Sequence, residues 1–138
     1  MNNQTNAAVL PLIGRILMAA IFVMSGIGKI ANPGTTLGYI NAMGLPFPEL
    51  ALVGAIGIEV VGGLLLVAGL YTRPVALALA GFSILTGLVF HSAIADQNQM
   101  IHLMKNLAMA GGLLQIAAFG AGSLSIDARR IHSALRTA

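Results

Sequence analysis

A chain of 138 residues with 57% hydrophobic and 8% charged residues has about a third of the charge of an average soluble domain, which is roughly 25%. That is too little polar surface for a water-soluble globule or a disordered chain, and the 17 glycines follow no triplet period, which excludes collagen. What remains is a membrane protein: one domain, 1–138, long enough for about four spans at roughly 20 apolar residues each.

The absence of cysteine excludes a disulfide, a thiolate nucleophile, a Cys-held iron–sulfur cluster and a zinc finger, so redox chemistry would need a borrowed cofactor. The net charge of +3 does not mark a nucleic-acid partner. Of the seven basic residues, Arg129, Arg130 and Arg136 lie together in the tail as a topogenic signal, and a chain with no Trp has no stacking platform.

Apolar runs cover about 9–30, 50–70, 75–91 and 100–119. In lipid they must be helices, since a barrel would need many short alternating strands. The first run carries Arg15 inside it and no basic residue before it, so it reads as a retained span rather than a signal peptide. Asn32-Pro33-Gly34 stops it, and Thr35 to Met43 can form a short interfacial helix. Tyr71-Thr72-Arg73-Pro74 predicts a tight turn with Pro at the start of the third helix. Ala93 to Gln99 predicts a polar loop, and 120–138 a cytoplasmic tail. The Arg73 turn and the tail are basic, whereas 31–48 and 92–99 contain no Lys or Arg. By the positive-inside rule the expected architecture is an all-α integral membrane four-helix bundle with both termini cytoplasmic.

Polar residues inside such spans are expensive and usually face the interior with a partner. Here they are Arg15, Lys29, Glu59, His91, His102, Lys105, Asn106 and Gln115. Arg15 and Lys29 are two heptads apart and share a side of the first helix with Phe22 and Ser25. Counting residues places Arg15 at a height comparable to Glu59, with Lys29, His91 and His102 nearer the outer surface. Ser83, Thr86, Gly87 and His91 form a stripe on the third helix; His102, Lys105, Asn106 and Met109 form one on the fourth. These stripes are expected to meet in a central polar cluster with Glu59 at its floor.

Two readings of that cluster stand side by side. In one, Glu59 neutralises Arg15 or Lys105 and the cluster only sets helix register. In the other, Arg15, Lys29, Glu59, His91, His102, Lys105 and Asn106 bind a ligand, with Glu59 and His91 as proton-handling candidates; no catalytic residue is assigned. A buried pair often fails to recover its desolvation, which favours the second. No metal is expected: His91, His102 and Asp96 match no ligand spacing. The seven Met read as packing or lipid-facing residues.

Gly14-Arg15 and Phe22-Val23-Met24-Ser25-Gly26-Ile27-Gly28-Lys29-Ile30 resemble the first-helix signature of the DoxX family of small bacterial membrane proteins. Gly57-Ile58-Glu59-Val60-Val61-Gly62-Gly63-Leu64 and Gly69-Leu70-Tyr71-Thr72-Arg73-Pro74 continue it. His91, Lys105-Asn106, Gly111-Gly112 and Leu124-Ser125-Ile126-Asp127 complete it, over roughly 10–130. The resemblance implies a multi-pass protein of the bacterial inner membrane. The family takes its name from similarity to DoxD, the membrane subunit of a thiosulfate:quinone oxidoreductase, and some relatives are linked to sulfur or thiol oxidative stress. It thereby implies a quinone headgroup or small oxyanion held by Lys29, Lys105 and Arg15, in a chain whose partners are the lipid bilayer and an oxidoreductase subunit or a second copy of itself. The alternative is a non-enzymatic scaffold subunit whose polar cluster is structural.

Overall fold

Each apolar run becomes a helix. A computed structural model describes residues 3–136. Its elements in chain order are α1 (Asn3–Ala31), α2 (Pro33–Ala42), α3 (Pro48–Ala68), α4 (Thr72–Phe90), α5 (Gln97–Phe119) and α6 (Ile126–Arg136), with no strand among the described residues. The local signals explain the boundaries. Pro33 and Pro48 open α2 and α3, where a missing N–H costs nothing. Gly69 closes α3 in the left-handed conformation (φ 66°), and Asp96 caps α5 by accepting the Gln99 N–H at 2.9 Å. The short interfacial helix appears as α2. The tail contains a helix of its own, α6, which the sequence reading did not assign.

Three helices are long and apolar enough to cross a membrane: Ala8–Ala31 within α1, Pro48–Ala68 and Thr72–Phe90. α5 is 23 residues long, but Gln97, Asn98, Gln99, His102, Lys105 and Asn106 dilute its apolar character, and it is not among the three.

α1 packs along α3, and α4 along α5; α3–α4 and α1–α5 contacts are sparser, and α2 lies mainly on α3. The pairing of α1 with α3 is antiparallel. Gly63 faces Ala19 and Val23, while Gly26, further along α1, faces Glu59 and Val60. Small side chains such as Ala19, Ala76, Ala80 and Ala110 fill the centre with Phe22, Leu66, Leu79 and Leu113, so backbones can come close without lipid between them.

The surface is inverted relative to a soluble protein. Leu17, Met24, Leu50, Val53, Leu85 and Phe119 point outward and exposed, while Arg15, Glu59, Thr72, Ser83 and Ser125 are buried. Apolar side chains outside and ionisable ones inside is the distribution that hydrocarbon imposes.

Candidate functional site

The site begins with a close approach of two helices. At Gly26 a Cβ would stand 2.5 Å from Val60 Cγ2 and 3.3 Å from Glu59 Cβ, so only glycine lets α1 press against α3 there. That approach brings Ser25 and Lys29, one turn apart on α1, onto the Glu59 carboxylate. Lys29 Nζ donates to Glu59 Oε2 at 2.8 Å, to Oε1 at 2.9 Å and to Ser25 Oγ at 2.8 Å, using all three of its protons. Ser25 Oγ donates onward to Glu59 Oε1 at 3.1 Å. The Glu59 side chain is 6% exposed and that of Lys29 20%.

This triad forms one wall of an open-sided cavity of about 800 Å³ lined by α1 to α5. Phe22, Ile40, Leu45, Ile58, Phe82 and Val89 contribute apolar walls, and α2 contributes Thr35, Thr36 and Tyr39. The opposite wall comes from the α4–α5 pair. The His91 and His102 rings stack with centroids 4.9 Å apart, and His91 Nδ1 is 2.8 Å from Gln99 Oε1. Asn106 donates to the His102 carbonyl at 3.0 Å. Lys105 lines the cavity with an exposed side chain that has no hydrogen bond or ion pair among the described residues.

Six of the seven sequence candidates, Lys29, Glu59, His91, His102, Lys105 and Asn106, therefore line one cavity, together with Ser83, Thr86 and Met109 from the predicted stripes. Arg15 does not. It sits beyond the cavity, at the far end of α3, fully buried, where its guanidinium donates to the carbonyls of Leu66 and Val67, each at 3.0 Å, and to that of Leu124. The comparable height assigned to Arg15 and Glu59 is corrected accordingly. Antiparallel stagger sets Arg15 against the last turn of α3 and Lys29 against its middle, so the partner of Glu59 is Lys29 and neither Arg15 nor Lys105. Gln115 faces outward.

The function of Arg15 is that of a cap supplied from another helix. Cationic donors at a helix C-terminus satisfy free carbonyls and complement the dipole. The opposite sign appears across the same turn. Asp127 accepts the N–H groups of Tyr71 and Thr72, each at 2.9 Å, at the start of α4, and its own N–H binds the Gly69 carbonyl at 2.9 Å. Partial burial pushes the Asp127 carboxyl up, but the Thr72 and Tyr71 N–H groups and the Arg130 charge outweigh it and hold it below the usual carboxylate range.

Sequence reasoning saw Ser25 only as a residue between Arg15 and Lys29, although the Ser25–Lys29 spacing of four was the available signal. The contribution of α2 to the cavity had no such signal, because it depends on where the 43–47 turn returns the chain. No group of three His, Cys, Asp or Glu side chains converges among the described residues.

A lipid-facing helical shell around a largely apolar cavity that carries an ion pair and two histidines defines a helical membrane protein with a cavity between its helices. The comparisons make this specific. The DoxX family model matches residues 10–92, and the chain belongs to the DoxX family. It is 44% identical to the inner membrane protein YqjF of Escherichia coli over 116 residues, 84% of this chain and 88% of that one. It is 34% identical to the inner membrane protein YphA of the same organism over 126 residues, 88% of this chain and 90% of that one. The identity to YqjF is the higher of the two. No solved structure matches the chain. With its apolar helices and these relatives, the chain is an inner membrane protein.

The family motifs sort by geometry into two places. Phe22 to Ile30 and Gly57 to Leu64 meet at the Lys29–Glu59 pair. Arg15, Gly69 to Pro74 and Leu124 to Asp127 meet at the capped turn.

Proposed function

We propose that the protein is a four-span subunit of a membrane oxidoreductase system that takes a quinone headgroup into the cavity between α1–α3 and α4–α5. α5 is the fourth span in this reading, because it lies along α4 and its His102, Lys105 and Asn106 side chains turn to the cavity. Both termini are cytoplasmic, with Arg73 and the tail on that side.

The observation that carries the proposal is the make-up of the cavity. About 800 Å³ with mostly apolar walls is far larger than a small oxyanion needs, and it lies in the size range of sites for drug-sized ligands. The polar groups are few and placed to meet carbonyl oxygens: Lys105, without a partner among the described residues, His102 and His91 at the same wall, and the Lys29–Glu59 pair opposite. Lys105 would donate to one quinone oxygen, and the His91–His102 pair and Glu59 would pass on the two protons that the quinone takes up when an oxidoreductase partner subunit delivers two electrons to form the quinol. The family link to a quinone-using system agrees with this assignment.

The test is calorimetric titration of the nanodisc-reconstituted protein with a short-chain benzoquinone, alongside extraction of quinone co-purified from the membrane. Lys105→Ala is expected to weaken binding roughly 10- to 100-fold, the loss of one charge-assisted hydrogen bond. A correctly folded protein that neither carries nor binds quinone overturns the proposal.

The second reading, a scaffold subunit with a structural polar core, is favoured by one fact: Lys29, Ser25 and Glu59 satisfy one another completely. In that case the Lys105→Ala and His102→Ala variants leave every binding readout unchanged, and only the stability of the pair matters.

A further inference from the structure

α6 takes no part in the cavity, yet its sequence is sharply two-sided. Ile131 and Leu135, one turn apart, are 62% and 72% exposed, which is unusual for such residues on a short polar helix in water. Arg129 lies on the opposite side of the helix, Arg130 and His132 flank Ile131 at about 100° to either side, and Arg136 follows in sequence.

The position of α6 is fixed by hydrogen bonds. Asp127 binds the first N–H groups of α4 and the last carbonyl of α3, and Ser125 Oγ accepts the Ala128 N–H at 3.1 Å. Since Pro48–Ala68 and Thr72–Phe90 are spans, α6 starts at the level where both meet the membrane surface. Its orientation follows from the same contacts. Residues four apart differ by about 40° around a helix, so Asp127, Ile131 and Leu135 fall within an arc of about 80°. The Asp127 side chain points toward the start of α4, into the membrane direction, and Ile131 and Leu135 continue that side where no protein covers them.

We propose that α6 lies in the headgroup layer of this leaflet, with Ile131 and Leu135 in the acyl boundary and Arg129 and Arg130 bound to anionic phospholipid. The charge argues for that lipid. Arg73, Arg129 and Arg130 gather at this end, and the one carboxylate of α6, on Asp127, is occupied by backbone N–H groups. Arg130 lies 5.3 Å over the Tyr71 ring, and Tyr71, itself 56% exposed, is an amphipathic aromatic of the type that settles at headgroup level.

The absence of native cysteine permits a direct test. Ile131→Cys, Leu135→Cys and His132→Cys variants of the full chain are labelled with an environment-sensitive fluorophore and reconstituted in vesicles of phosphatidylcholine with or without phosphatidylglycerol. Labels at 131 and 135 should be quenched by brominated lipid and shielded from aqueous iodide, and the label at 132 the reverse. The ratio of inserted to free label at 131 should fall roughly fivefold for each of Arg129→Gln and Arg130→Gln in anionic vesicles. Iodide access at 131 equal to that at 132 overturns the proposal, as does identical insertion in neutral and anionic vesicles. Shielding that appears only at high protein-to-lipid ratio overturns it in favour of a contact between copies.

Discussion

Removing one member of the Lys29–Glu59 pair should cost far more than removing both. Glu59→Gln leaves the Lys29 ammonium, which has spent three protons within 2.9 Å on Glu59 and Ser25, facing a neutral amide. Deleting one partner of a buried pair costs about 3–5 kcal/mol, and the 20% exposure of Lys29 puts this case at about 3. Lys29→Met leaves a 6%-exposed carboxylate with the Ser25 hydroxyl alone, a similar loss. The double variant removes both charges and should lie within about 1.5 kcal/mol of the parent. The resulting coupling, at least about 4.5 kcal/mol, exceeds the ceiling of roughly 1.7 measured for interhelical hydrogen bonds in membranes. With no Trp to report on unfolding, the four proteins are compared by far-ultraviolet circular dichroism during titration with SDS in mixed micelles. Costs that simply add, with a coupling below about 0.6 kcal/mol, would refute the pairing as the organising contact of α1 and α3.

The other predictions address the two ends of the bundle. Arg15→Lys should lose the forked contact to Leu66, Val67 and Leu124 and destabilise the protein by about 2–3 kcal/mol while leaving the proposed quinone binding unchanged, as read by SDS titration and calorimetry side by side. Asp127→Ala should cost about 1 kcal/mol, the loss of an N-cap. Because the folded Asp127 pKa lies below its ordinary 3.8, the parent keeps this contribution above that pH and loses it as pH falls through the lower folded value, whereas the variant should show no such step. Gly26→Val should push α1 off Val60 and open the Lys29–Glu59 contact, with thermal stability in detergent falling alongside ligand binding.

The helices were legible because hydrophobic length and Pro punctuation act locally: Pro33 marks a real boundary, whereas the closing role of Gly69, inside the run read as 50–70, did not stand out. The cavity was legible from the stripes at His91, His102, Lys105 and Asn106, whose spacing alone sets their face. The partner of Glu59 was not. Choosing between Arg15, Lys105 and Lys29 requires the stagger of α1 against α3, which arises from the tertiary fit at Gly26 and Gly63. α6 was hidden for a related reason. Its polarity reads as a soluble tail until Asp127 is seen bound to the α3–α4 turn.

The capped turn also sets an order of assembly. The carbonyls that end α3 are held by a residue already made, Arg15, but the N–H groups that begin α4 wait for Asp127, and Arg15 itself reaches Leu124 across 109 positions of chain. During synthesis the α3–α4 hairpin therefore enters the membrane with one end unlocked. The bundle becomes fully closed only when the segment after α5 folds back under it, so a fault late in the chain is felt at its middle.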